Sequence, residues 1–284
     1  MKNPQFQPEK RKLLVVAIVG LIAATVLISS LLRSAEHSFF CSLASSQARS
    51  ISDYSATPIQ LNAILHYATS KIVPQQSFAE ITVSFNVLKE KAPCNFLVFG
   101  LGYDSMMWNS LNPLGNTLFL EEDPKWVQQV LKDAPSLKAY AVQYRTQLSK
   151  ADHLLKTYKS EPNCRASKAF VRGNLECKLA LTGLPDEVYD TEWDMIMIDA
   201  PRGYFPEAPG RMGAIFSAAV MAKQRKGSGV THVFLHDVNR RVEKVFAEEF
   251  LCRKYLKHSV GRLWHFEIPS AANSSYVADT DSFC

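Results

Sequence analysis

The chain lacks both the basic surplus of nucleic-acid-binding proteins and the cysteine spacing of zinc proteins. Its formal net charge is +5, but residues 1–33 carry +4 of it, which leaves +1 for the rest of the chain. A protein that binds DNA or RNA needs a basic face to neutralise phosphates. The six cysteines include no CxxC pair and no Cys/His spacing typical of zinc. We therefore expect neither a nucleic-acid partner nor a structural zinc site.

The sequence also has no internal repeat and, between residues 59 and 270, no linker rich in Pro, Gly or Ser. Helical and apolar segments alternate throughout that stretch, which is long enough to form one layered core. The predicted organisation is a tail at 1–12, an apolar segment at 13–32, a stem at 33–58, the domain at 59–270 and a polar C-terminal tail at 271–284.

Residues 13–32 contain no charged residue and follow Lys10, Arg11 and Lys12. About 20 apolar residues, at ~1.5 Å rise each, cross a bilayer core of roughly 30 Å. The alternative is a cleaved signal peptide, whose apolar core is usually only about 7 to 15 residues. The positive-inside rule places residues 1–12 in the cytosol. We therefore predict a membrane anchor with the domain in a lumen.

A lumen is oxidising, so Cys164 and Cys177 could form a disulfide across the polar stretch between them. Cys94 immediately precedes an apolar strand and is expected to be a buried free thiol. The sequence leaves the remaining pairing open. The sequon at Asn273 lies in the polar tail, which agrees with exposure to a lumen.

Three short apolar runs stop abruptly at residues suited to chemistry. Buried parallel strands are apolar on both faces, and ligands bind beyond their carboxyl ends. The runs therefore predict an α/β fold with a mostly parallel sheet and helices on both faces. They are residues 95–99 before Gly100, 194–198 before Asp199, and 232–235 before His236 and Asp237.

The rest of the domain fits the same fold. Ser77 and Glu80 form a capping-box pattern at the start of one predicted helix, and Pro124 opens another. The predicted helices are residues 77–90, 124–132, 151–158, 211–225 and 242–251, and the further strands are 117–120, 139–144 and 262–268.

The first candidate site combines Gly100, Gly102 and Asp104 with Glu121 and Glu122 about twenty residues later. Such glycines let the backbone approach a nucleotide, and an acid after the second strand binds the ribose. Ser105 replaces the third glycine of the dinucleotide fingerprint, which disfavours NAD. A phosphate-free adenosine such as S-adenosylmethionine fits better, with Glu121 or Glu122 on its ribose. The alternative is a tight turn followed by a solvated acidic loop.

The second candidate site comprises Asp199 and Asp237, which end neighbouring predicted strands. Two such carboxylates can bind Mg²⁺ or Mn²⁺, and the ion would lower the pKa of a sugar hydroxyl. The alternative is that each acid only caps the turn that follows it. His236 is a candidate general base, although a core histidine bonded to the backbone is the other interpretation.

The loop at residues 201–211 is dense in Pro, Gly, aromatic and charged residues. Sugar sites combine aromatic faces with arginine, whose fork matches a carboxylate. Tyr204 with Arg202 or Arg211 could therefore contact an acidic sugar. Alternatively, the prolines only stiffen the loop and Arg211 is a solvated residue in the first turn of a helix.

Five segments resemble the plant glucuronoxylan 4-O-methyltransferase family, and most of all its irregular xylem 15-like branch. The resemblance covers about residues 59 to 270. It is carried, in this order, by residues 93–102 (PCNFLVFGLG), 119–123 (FLEED), 199–201 (DAP), 207–212 (EAPGRM) and 236–238 (HDV).

This resemblance implies a Rossmann-like, S-adenosylmethionine-dependent methyltransferase fold, preceded by one transmembrane helix. It also implies a single-pass type II protein of the Golgi membrane, with the domain in the lumen, that acts in xylan biosynthesis for secondary cell walls. Its partners would be xylan, the Golgi membrane and other xylan-synthesis proteins. Gly100, Gly102 and Glu122 would hold the cofactor, and Asp199 and Asp237 would serve the metal or the substrate.

Two functions remain open at this stage. The first is O-methylation of glucuronic acid side chains of xylan. The second is a non-catalytic scaffold that binds xylan or synthase subunits in the same crevice. Arg202 and Asn239 favour the scaffold, because methylating members carry Thr after Asp-Ala-Pro and Asp after His-Asp-Val.

Overall fold

The computed structural model describes residues 57–270 and 282–284. The predicted cytosolic tail at 1–12, the membrane anchor at 13–32 and nearly all of the stem lie outside these residues, as do residues 271–281 of the polar tail. In the described ranges, no helix combines the length and the apolar character needed to span a membrane.

The described residues form one seven-stranded sheet in the order β3-β2-β1-β4-β5-β7-β6. The first five strands in that order are parallel, whereas β7 runs antiparallel to both β5 and β6. The prediction of a mostly parallel sheet is confirmed. The strands are β1 (Asn95–Phe99), β2 (Asn116–Glu121), β3 (Lys138–Ala141), β4 (Met195–Ile198), β5 (Val230–Leu235), β6 (Leu256–Val260) and β7 (Leu263–Pro269).

Helices connect these strands and begin where the sequence supplies caps. The capping box predicted at Ser77 and Glu80 is present, and Asp123 caps the helix that Pro124 opens. The helices of the described part are α1 (Pro58–Thr69), α2 (Phe78–Lys91), α3 (Ser105–Ser110), α4 (Pro124–Asp133), α5 (Ala151–Thr157), α6 (Asp186–Asp190), α7 (Met212–Lys223) and α8 (Arg241–Phe246), which continues as a π-helical segment, Ala247–Cys252.

Each central strand is buried on both faces because alternate residues enter two different cores. Leu97 and Phe99 of β1 pack into the larger core with α7 and α8, whereas Phe96 and Val98 pack into the smaller core with α2 and α3. The helices therefore cover both faces of the sheet, as predicted. This leaves the sheet accessible at the carboxyl ends of β1, β2, β4 and β5.

The cysteine predictions are confirmed. Cys164 and Cys177 form a disulfide, and Cys94 is the buried free cysteine of the described residues. A second disulfide, Cys252–Cys284, was not predicted. Together with the buried ring of Phe283, it attaches the end of the predicted polar tail to the core.

Candidate active site

A cavity of about 440 Å³ lies beyond the carboxyl ends of the parallel strands. It brings the two candidate sites together along one rim. Every predicted site residue except His236 lines it, namely Gly100, Gly102, Asp104, Glu121, Glu122, Asp199, Asp237, Arg202, Tyr204 and Arg211.

The glycine turn after β1 passes close to the turn after β4. Gly100 has φ +129°, and a Cβ atom built on it would lie 3.3 Å from the Cβ of Ala200. The backbone N–H of Gly102 donates to Oγ of Ser105 at 2.9 Å. Ser105, in the place of the third glycine, thus fixes the turn through its hydroxyl group.

The carboxyl group of Glu121 stabilises this turn through hydrogen bonds to the backbone. Its Oε2 accepts from the N–H of Leu101 at 3.0 Å, and its Oε1 accepts from the N–H of Asp123 at 3.1 Å. Burial raises the pKa of this carboxyl group. Both oxygens are therefore committed to the backbone of the protein.

Glu122 has one carboxylate oxygen without a hydrogen-bond partner among the described residues. Its Oε1 accepts from the N–H of Arg202 at 3.2 Å and also pairs with the guanidinium group of that residue. Its Oε2 is buried and has no hydrogen-bond partner among the described residues. A buried carboxylate oxygen in this state is an unsatisfied hydrogen-bond acceptor. Glu122 rather than Glu121 is thus the residue suited to a ribose.

A second cavity, of about 350 Å³, lies beyond β3. Val142, Gln143 and Tyr144 line it, and Glu122 and Arg202 line both cavities. The hydroxyl group of Tyr144 is buried without a partner in the described part of the chain. The Glu122–Arg202 ion pair therefore lies on the wall that the two cavities share.

Asp199 faces the larger cavity at the end of β4. Its Oδ1 lies 2.8 Å from Nδ1 of His236, and its Oδ2 accepts from Nε2 of Gln76 at 3.1 Å. Burial alone would raise the pKa of Asp199, but the His236 hydrogen bond and the charge of Arg211 outweigh it and lower that pKa. Asp199 is therefore an ionised, fixed acceptor at neutral pH.

His236 is fully buried behind Asp199 and does not line the cavity. Its Nε2 lies 3.9 Å from the carboxylate of Glu80 and has no hydrogen-bond partner in residues 57–270 and 282–284. This geometry gives His236 the role of orienting Asp199. The interpretation as a core histidine fits the structure better than that of a general base in contact with substrate.

Arg211 is 4% exposed, and all three of its nitrogen atoms donate hydrogen bonds. Nη1 donates to the carbonyl of His236 at 2.7 Å, and Nη2 donates to Oδ2 of Asp237 at 2.9 Å. Its remaining bonds go to the segment that follows β4. Arg211 thus ties the ends of β4 and β5 together and has little capacity left for a sugar.

Asp237 has φ +62° and is 2% exposed. Three guanidinium groups of the described residues surround its carboxylate, from Arg211 at 2.9 Å, Arg240 at 3.0 Å and Arg262 at 2.8 Å. Asp199, His236 and Asp237 each offer one atom that could ligate a metal ion, and these atoms lie within 4.8 Å of one another. However, the three positive charges would repel a divalent cation and already occupy Asp237. The site therefore does not fit the predicted Mg²⁺ or Mn²⁺.

Other residues of the site carry weaker sequence signals. Asp104 follows the glycine turn, lines the cavity and accepts from the indole N–H of Trp108 at 2.8 Å. Burial raises the pKa of Asp104, and the charge of Asp199 raises it further. Arg240 also lines the cavity, whereas its neighbour Asn239 is exposed. The structure thus places Asp104 at the site, as its position after the glycines predicts, whereas no sequence signal indicated Arg240.

Tyr204 stands at the rim of the cavity with 67% of its surface exposed. Its ring contacts that of Phe205 edge-on, with centroids 5.2 Å apart. An exposed aromatic ring beside a polar cleft is a suitable surface for the face of a sugar.

A family model described as IRX15/IRX15L/GXM matches residues 79–266. Arabinogalactan O-methyltransferase 2 of Arabidopsis thaliana is 64% identical over 97% of this chain and 95% of its own length. Glucuronoxylan 4-O-methyltransferase 1 of the same plant is 51% identical over 78% of each chain.

Protein IRREGULAR XYLEM 15 of Arabidopsis thaliana is 40% identical over 76% of this chain and 68% of its own. The preference for the irregular xylem branch is therefore not supported. A solved methyltransferase-like protein from Silicibacter pomeroyi covers 70% of this chain and 89% of its own, at 15% identity and a TM-score of 0.38.

Proposed function

The chain belongs to the IRX15/IRX15L/GXM family, and from this membership we propose that it methylates a cell-wall polysaccharide. The methyl donor is S-adenosylmethionine, and the acceptor is a hydroxyl group of a uronic acid residue. The arabinogalactan relative matches nearly the whole chain, which favours arabinogalactan over xylan as the polysaccharide. The proposed polysaccharide therefore differs from the xylan expected from the sequence alone.

One observation carries this proposal: the glycine turn, Glu122 and Asp199 line a single cavity. Glu122 would accept from a ribose hydroxyl group, and the second cavity beyond β3 would take the base. Burial raises the pKa of Asp104 and the charge of Asp199 raises it further, so a cationic ligand near Gly102 would relieve the repulsion between these two acids.

When bound, S-adenosylmethionine supplies an electrophilic methyl group. The protein has to orient the acceptor hydroxyl group in line with that methyl group and exclude water. Asp199, held by His236 and Gln76, would accept a hydrogen bond from the hydroxyl group and then its proton as the new O–C bond forms. Tyr204 would support the sugar face. No step of this mechanism needs a metal ion.

The test compares two acceptors, arabinogalactan and glucuronoxylan oligosaccharides, with the full-length chain and radiolabelled donor. We expect label on the uronic acid residue, with arabinogalactan preferred, and no label with Asp199→Asn. Transfer to glucuronoxylan alone would refute the choice of acceptor. Equal transfer by Asp199→Asn and wild type would refute the assigned role of Asp199.

The scaffold interpretation retains one supporting observation. Arg202 pairs with Glu122 at the position proposed for the ribose, so a nucleoside has to compete with it. A protein that binds polysaccharide without methylating it would show no heat of binding with S-adenosylmethionine. Calorimetry on the full-length chain therefore separates the two functions, and we expect binding.

We also propose that the protein is anchored in the Golgi membrane with its domain in the lumen. The apolar segment at 13–32 and the two disulfides support this location, because disulfides persist in oxidising compartments. In intact vesicles, the domain should resist added protease until detergent is present. Digestion without detergent would refute the orientation.

A further inference from the structure

The three arginines around Asp237 differ in their capacity to bind a ligand. Arg211 is fully engaged, and Arg262 divides its two terminal nitrogens between Asp237 and the carbonyl of Gln75. Arg240 lines the cavity with 30% of its side chain exposed, and its Nη1 is buried against Glu243. A partly exposed guanidinium group on a cavity wall has capacity for an anionic ligand.

Asp237 does not need Arg240 for neutralisation. Arg262 donates to its Oδ1 at 2.8 Å and Arg211 to its Oδ2 at 2.9 Å, so both oxygens are paired without Arg240. Arg240 approaches the same Oδ2 at 3.0 Å, which places two positive charges on one oxygen. A second anion beside Arg240 would relieve their mutual repulsion.

The neighbouring acid, Glu243, lies farther from Arg240 than Asp237 does. Glu243 is fully buried, its carboxyl lies 3.7 Å from Nη1 of Arg240, and neither of its oxygens has a hydrogen-bond partner within the described ranges. Burial raises the pKa of Glu243, which favours its neutral form. The backbone of Gly203 lies against this pair, since a Cβ there would be 2.7 Å from Glu243 and 3.7 Å from Arg240. Arg240 therefore lies beside the loop that carries Tyr204.

We propose that Arg240 binds the carboxylate of the acceptor sugar and so selects uronic acids over neutral sugars. This rests on the proposed function. The sheet order places β4 between β1 and β5, so Arg240 follows a strand two spacings, or about 10 Å, from the glycine turn. That separation leaves room for one sugar ring between the donor side and the guanidinium group. The planar fork of arginine matches a carboxylate with two parallel hydrogen bonds.

The experiment uses the full-length chain and two acceptors: an oligosaccharide ending in a uronic acid, and the same compound with its carboxyl reduced to an alcohol. For Arg240→Met we expect KM for the acidic acceptor to rise about 30-fold while kcat changes little, because one charged hydrogen-bonding partner is lost. KM for the reduced acceptor and the affinity for S-adenosylmethionine should stay unchanged. Arg240→Lys keeps the charge but not the fork, and should lie between wild type and Arg240→Met.

Arg241→Met is the matched control, because the adjacent Arg241 forms an exposed pair with Asp152 outside the cavity. It should behave as wild type. If Arg240→Met and Arg240→Lys lost activity equally toward both acceptors, the role of Arg240 would be purely structural and the proposal would be overturned. An unchanged KM of Arg240→Met for the acidic acceptor would also overturn it.

Failure of the proposed function has a separate signature, which is that wild type transfers methyl to neither acceptor. In that case the assignment of Arg240 is tested by the affinity of the protein for the acidic oligosaccharide, measured by calorimetry. Binding by wild type that weakens about 30-fold in Arg240→Met supports the assignment of Arg240 even without catalysis. Absence of binding by wild type, or equal binding by both proteins, refutes it.

Discussion

Glu122→Gln should weaken the binding of S-adenosylmethionine without unfolding the protein. In the proposed function, the buried Oε2 of Glu122 would accept one hydrogen bond from a ribose hydroxyl group, because Oε1 already accepts from Arg202. A hydrogen bond to a charged group contributes about 1.5–3 kcal/mol, which corresponds to roughly a 10- to 150-fold loss of affinity. Glu121→Gln is a poorer probe, because it also releases the glycine turn that Glu121 holds.

Titration calorimetry on the full-length chain measures this loss directly. Glu248→Gln is the matched control, since Glu248 pairs with Arg253 and does not line the cavity. Arg202→Met should raise the affinity at most about 5-fold, because an ion pair with a half-exposed arginine contributes up to ~1 kcal/mol. If Glu122→Gln bound the donor within twofold of wild type, the ribose would lie elsewhere and this assignment of the cavity would be wrong.

Three further predictions concern stability and pH. Arg211→Met should lower the free energy of unfolding in urea by about 1–3 kcal/mol, because it removes the buried donors to the carbonyl of His236 and to Oδ2 of Asp237. Reduction of the Cys252–Cys284 disulfide should lower it by about 3 kcal/mol, since the bond closes a long loop. His236→Gln should raise the pKa of Asp199, because it removes a hydrogen bond that lowers this pKa, and should move the acid limb of the kcat/KM profile to higher pH. In the wild-type protein, the free energy of unfolding should fall as the pH drops through the folded-state pKa of Asp199, which lies below its unfolded value of about 3.9.

The exposed pair of Arg241 and Asp152 supplies the control for the first of these, since Arg241→Met should change stability by less than about 1 kcal/mol. A similarly small effect of Arg211→Met would mean that Arg211 does not tie β4 to β5. Unchanged stability in reductant, or an unshifted acid limb in His236→Gln, would contradict the other two predictions.

The sequence predicted most of the fold because central parallel strands are continuous apolar runs. The bounds predicted for β1, 95–99, agree with the structure, and those of β4 differ by one residue. It missed β6, whose residues are only partly buried or exposed at the sheet edge, so no apolar run marks it. It missed the short helix α3 as well, since six residues are too few to show a periodic pattern.

Positions at strand ends were predictable, but their partners were not. The chain direction of a parallel sheet brings Gly100, Asp199 and Asp237 to one edge whatever the loops contain. Arg240 and Arg262, in contrast, reach Asp237 through side-chain directions that no sequence period specifies. The predicted metal ion followed from counting carboxylates without their counter-ions.

The arginine cluster also changes how the site would activate an acceptor. A divalent ion would lower the pKa of a sugar hydroxyl group by direct ligation, whereas three guanidinium groups stabilise anions already present. In the proposed function, methyl transfer would depend on placement: Arg240 would fix the acceptor through its carboxylate, and Asp199 would orient the hydroxyl group beside the glycine turn. A neutral sugar could still contact Asp199, but it would lack the carboxylate that binds Arg240. The charge that excludes a metal ion from Asp237 is therefore the same charge that, in our proposal, would make the cavity selective for an acidic acceptor.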